Sequence, residues 1–150
     1  MRAILLLLAV LLPPTSWCQV NLDAARAEPN LEKRSTLALK YAETALHAAE
    51  KSYSDGDWAA TQKSLAEIKE SVGISYESLK QTGKNPRKKP KHFKRAEITT
   101  RNLIRKLTAF RDHMAFDDRE KLQPVIRYVQ RAHDEILKGV LEAGTLEDIE

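Results

Sequence analysis

The sequence predicts an all-α protein: an antiparallel up-down-up-down four-helix bundle preceded by a signal peptide. Three observations carry this expectation. Four stretches, each about two dozen residues long, place apolar side chains at alternating spacings of three and four, which sets one ridge along one side of an α-helix. Clusters of Gly, Pro and Asp separate those stretches. The first 18 residues have a different character, with Arg2 ahead of an uncharged run from Ala3 to Leu12 and then Pro13, Pro14, Thr15, Ser16, Trp17 and Cys18.

Segment 1–18 reads as a secretory signal peptide. Cleavage after Cys18 puts the small residues Ser16 and Cys18 where the peptidase needs them and leaves a cysteine-free chain starting at Gln19. A lipid-modified Cys18 fits poorly, because Trp17 and Thr15 stand where bacterial lipoprotein signals carry a small residue and Leu. The apolar run is too short to cross a bilayer as a helix, so no transmembrane segment is expected in the mature chain. With no disulfide framework and no Asn-x-Ser/Thr sequon, the expected location is the bacterial periplasm or the extracellular space.

Segment 19–30 mixes small and polar residues and is expected to be flexible, with Asn30 as N-cap of the first helix. That helix runs over about 31–54 with Leu31, Ala38, Leu39, Ala42, Ala45, Leu46, Ala49 and Tyr53 facing inward. Asp55, Gly56 and Asp57 then stop one helix and cap the next, and so short a turn folds the chain back on itself. The second helix, about 58–81, points Trp58, Leu65, Ile68, Val72, Tyr76 and Leu79 inward, and its interior Gly73 marks a close helix contact.

A basic loop, 82–89, leads to a third helix over about 90–114, opened by Pro90, with the stripe Phe93, Ala96, Thr100, Leu103, Leu107, Phe110 and Met114. The fourth, about 119–142, is expected to open on a capping box of Asp117 and Glu120, with Pro124 near its first turn. Its stripe is Leu122, Ile126, Val129, His133, Ile136, Leu137, Val140 and Leu141. The bundle thus spans 31–142, and 143–150 forms an acidic tail.

Charge is polarised along the chain. Lys80, Lys84, Arg87, Lys88, Lys89, Lys91, Lys94 and Arg95 follow one another without an acid, a local +8. From Gln19 onward there are 24 basic and 21 acidic residues, so everything outside this segment sums to −5. A run of this kind suits an anionic surface or an acidic protein, and Lys84, Arg87, Lys88, Lys89, Lys91, Lys94 and Arg95 are the candidate contacts. Nucleic acid is a poorer partner, since export removes the protein from most of it and Phe93 belongs to the core stripe.

No chemistry-bearing motif competes with this reading. The histidines are His47, His92, His113 and His133, and none has the Glu three residues earlier that carboxylate di-metal bundles use. Glu43 and His47, one turn apart, are read as a surface pair rather than a metal site, and no cofactor is expected. His133 falls inward, level with Thr100 and near Ser75 and Lys40, as a polar layer that fixes helix register. The sequence therefore reads as an exported, non-enzymatic binding protein. Two alternatives are a periplasmic stress-type chaperone or metal-responsive accessory protein, and a structural subunit that pairs with another helical chain. Oligomeric state is not encoded legibly.

Overall fold

A computed structural model describes residues 21–142; the expected signal peptide over 1–18 and acidic tail over 143–150 lie outside the described residues. The protein is helical throughout, with α1 (Leu22–Ala27), α2 (Leu31–Ser54), α3 (Trp58–Gln81), α4 (Lys91–His113) and α5 (Phe116–Glu142), and no strand among the described residues.

Local chemistry sets the helix ends. Asn30 Oδ1 accepts the Lys33 N–H at 2.9 Å and Asp57 Oδ1 accepts the Ala60 N–H at 2.9 Å, each satisfying a backbone donor that a helix start leaves unpaired. Gly56 at φ 77 and Gly83 at φ 61 take the left-handed conformation that ends α2 and α3.

The closest-packed pair is α2 with α3. Ser35 Oγ near the start of α2 meets Ser75 Oγ late in α3 at 2.7 Å, and Ser52 near the end of α2 meets Thr61 at the start of α3 at 3.1 Å. Small residues permit this approach. On α2 the buried face is Ser35, Ala38, Ala42, Ala45 and Ala49 beside Leu39 and Leu46. On α3 it includes Thr61, Ser64, Ser71, Ser75 and Ser78 as well as Leu65, Ile68, Val72 and Leu79.

Apart from Ser75, those α3 hydroxyls were not anticipated, because a polar residue does not register on an apolar stripe. They are buried without an orphaned proton: Thr61, Ser71 and Ser78 donate to the carbonyls of Asp57, Glu67 and Ile74 one turn back.

The second pair is α4 with α5, and the two hairpins meet through α2 on α4 and α3 on α5. Helices α3 and α4, consecutive in sequence, touch little, while the α2 and α5 backbones do not meet. Segment 82–90 therefore crosses the diagonal of the helix array. All seven stripe residues of α4 are buried as expected, from Phe93 to Met114. Gly73 does mark a close contact, since a Cβ there would stand 2.8 Å from Tyr128 Oη on α5.

Four expectations need correction. Segment 19–30 contains α1, capped by Asn21 and anchored by buried Leu22 and Ala25, because two apolar residues three apart suffice to seat one short turn against α2. The last helix begins at Phe116, ahead of residue 119, and continues through Pro124. Pro124 lacks the N–H that would bond the Glu120 carbonyl, so tertiary packing outweighs a defect worth about 3 kcal/mol. The Asp117 and Glu120 capping box is not used, because both residues lie inside the helix. Leu141 is exposed rather than inward.

Candidate functional site

The basic segment is an ordered turn followed by a helix start. Asn85 shapes it: its side-chain oxygen accepts the Arg87 N–H at 2.8 Å, and its carbonyl accepts the Lys89 N–H at 3.0 Å. This turn projects Lys88 and Lys89 into solvent, and α4 then displays Lys91, Lys94 and Arg95, all exposed.

The structure divides the candidate residues into two groups. Lys84 is not a free contact: its Nζ lies 2.7 Å from Glu32 Oε1 on α2, where it ties the loop to the helix. Arg87 is likewise engaged. Glu32 also faces His92, with Oε2 3.5 Å from Nε2. The hydrogen bond from Lys84, aided by the charges of His92, Lys84 and Lys89, holds the Glu32 carboxyl below its usual range. Lys88, Lys91, Lys94 and Arg95 have no such acid among the described residues, and Lys89 reaches Glu32 only through its charge, without an ion-pair contact.

The electrostatic setting is unfavourable to these cations. Helix N-termini carry partial positive charge and favour acids, yet α4 has no acid in its first turn and no side-chain cap at Pro90. Lys91 and Lys94 are placed against the dipole. Toward α2, the same helix start borders a cleft of about 300 Å³ whose lining includes Lys40, Glu43, His92 and Arg95.

The anticipated polar pair does form. Thr100 Oγ1 and His133 Nδ1 are 3.1 Å apart between α4 and α5, and Thr100 is fully buried. Thr100 also bonds the Ala96 carbonyl at 2.8 Å; with its proton there, it accepts from Nδ1–H. Ser75 and Lys40 do not join this layer, because Ser75 bonds Ser35 and Lys40 faces the α2–α4 cleft. Glu43 pairs with Lys106 at 3.3 Å, whereas His47 Nδ1 lies 3.4 Å from Glu50, so the expected Glu43–His47 pair is not made.

The opposite end holds a cluster that sequence reading missed. Tyr53 Oη accepts the Ala115 N–H at 2.9 Å and donates to Asp118 Oδ2 at 3.0 Å, joining the end of α2 to the start of α5. Lys121 bonds Asp118 at 2.6 Å while its ammonium sits 4.7 Å from the Trp58 ring centroid. Tyr53 also packs edge-on against Trp58 and Phe110. No local spacing signals this group, because its members come from four helices.

Comparison with protein-family models, with curated proteins and with solved structures found no match to this chain.

Proposed function

We propose that this chain is an exported, non-enzymatic antiparallel helical bundle that acts by binding, with the cationic turn and first turns of α4 meeting an anionic, phosphate-bearing surface. The observation that supports this reading is the placement of Lys88, Lys89, Lys91 and Lys94, exposed and without an ion-pair contact among the described residues, at a helix N-terminus whose partial charge is also positive. Lys91 and Lys94, in the first turn of α4, each cost roughly 0.3 to 1 kcal/mol in the free protein. Against an anionic membrane each contributes about 1 kcal/mol of attraction, which reverses the sign of the local electrostatics. Lys84 ties the loop to α2 through Glu32, and Arg87 is already engaged, so neither is counted among the contacts.

The test is sedimentation with vesicles containing phosphatidylglycerol. Wild type should co-sediment at low salt and be released as ionic strength rises, since attraction decays over about 8 Å at physiological salt. Replacing Lys88, Lys89, Lys91 and Lys94 by Gln should abolish retention. Equal retention of the two proteins would refute the proposal.

A further inference from the structure

We propose that the cleft between α2 and α4 binds the phosphate monoester of a hydroxyl-bearing small molecule or headgroup; this inference rests on the anion-contact reading above and assigns it a specific pocket. The cleft holds about 300 Å³, the lower end of the range in which proteins hold small ligands. Lys40 reaches it from α2 and Arg95 from α4, and neither side chain has a partner among the described residues. His92, on the first turn of α4, lines the cleft between them, its Nε2 3.5 Å from Glu32 Oε2. Two cations without an acid partner therefore face one concave surface, with the His92 ring in its wall. The acid in the wall, Glu43, is taken up by Lys106 at 3.3 Å.

The donor arrangement selects the ligand's chemistry. A carboxylate presents two coplanar oxygens and suits one guanidinium, whereas donors arriving from two helices suit a tetrahedral group with three terminal oxygens and nearly two charges at neutral pH. The lining hydroxyls add a second requirement. Thr36 donates to the Glu32 carbonyl at 3.0 Å and Thr99 to the Arg95 carbonyl at 2.9 Å, so both oxygens keep only acceptor capacity. Such oxygens complement alcohol O–H groups, as in a glycerol or sugar phosphate.

Calorimetric titration of the purified protein with glycerol 3-phosphate, inorganic phosphate and glycerol tests the pocket, and vesicles containing phosphatidic acid present the same ester on a lipid. Either glycerol 3-phosphate saturates one site more tightly than inorganic phosphate, or phosphatidic acid retains the protein better than phosphatidylglycerol; the first outcome identifies a soluble source and the second a headgroup. In both cases Lys40→Ala and Arg95→Gln, exposed positions whose folding is checked by circular dichroism, should each weaken binding about tenfold. Glycerol alone should not bind. The inference is overturned if neither source binds selectively or if Lys40→Ala binds as wild type does. Failure of the Lys88, Lys89, Lys91 and Lys94 variant to lose phosphatidylglycerol binding refutes the broader surface while leaving the pocket standing. Loss of that binding with an unaffected Lys40→Ala refutes the pocket alone.

Discussion

Truncating Leu107 to Ala measures how far the shared interior of these helices carries the fold. Leu107 is 0% exposed, midway along α4, and belongs to the same core as Leu46, Ile68 and Val129 from three other helices. Removing three carbons forfeits about 2.5 kcal/mol of transfer free energy at about 0.8 kcal/mol per buried methylene. A residual cavity of about 60 Å³ adds about 1.5 kcal/mol if the surroundings do not collapse. The slightly better helix propensity of Ala returns only about 0.2 kcal/mol. The expected loss is therefore about 2.5 to 4 kcal/mol, read as a lower urea midpoint with an unchanged slope. Ile98 supplies a control on the same helix, being 47% exposed, and Ile98→Ala should cost less than about 1 kcal/mol. Equal losses at the two positions, or a loss below about 1 kcal/mol at Leu107, would refute the assignment of the buried face.

Other perturbations address single contacts. Tyr53→Phe removes the acceptor for the Ala115 N–H and the donor to Asp118, so a loss of about 1 to 2 kcal/mol is expected, with faster exchange of the Ala115 amide by NMR. Gly73→Ala in a Tyr128→Phe background should raise stability by about 1 kcal/mol, since the hydroxyl that crowds the new Cβ is gone; a thermal melt reads the sign. Burial, then the hydrogen bond to Glu67, pushes the Tyr41 phenol up to about 12 from 10.0. The stability this contributes is fully present below pH 10.0 and lost as pH rises toward about 12, so Tyr41→Phe should flatten the alkaline limb of a stability profile. Glu32 moves the opposite way: its carboxyl is held below 4.5 in the fold, so its contribution is present above that pH and lost as pH falls through the folded value. Glu32→Gln should remove that part of the acid dependence of the melting temperature.

Helix existence and most inward faces were legible because a period of three and four is a local signal, repeated often enough along α4 that all seven expected residues are buried. The Thr100–His133 contact was legible for the same reason, since both residues sit on inward stripes at matching heights. The cationic candidates were found by charge alone, and charge alone did not reveal that Lys84 turns back to Glu32. That pairing joins residues separated by most of two helices. The hydroxyl face of α3 had a visible spacing in Ser64, Ser71, Ser75 and Ser78, but composition-based hydrophobicity discards it.

By itself the sequence determined the helical class, the turns at Gly56 and Gly83 and the concentration of positive charge, because propensity, capping and patterning act within a few residues. Tertiary structure alone decided that α2 packs on α4 rather than α5, that α5 runs through Pro124, and that Lys40, His92 and Arg95 share one cleft. Those outcomes depend on which faces fit together closely, a sum over contacts between distant segments that no local window contains.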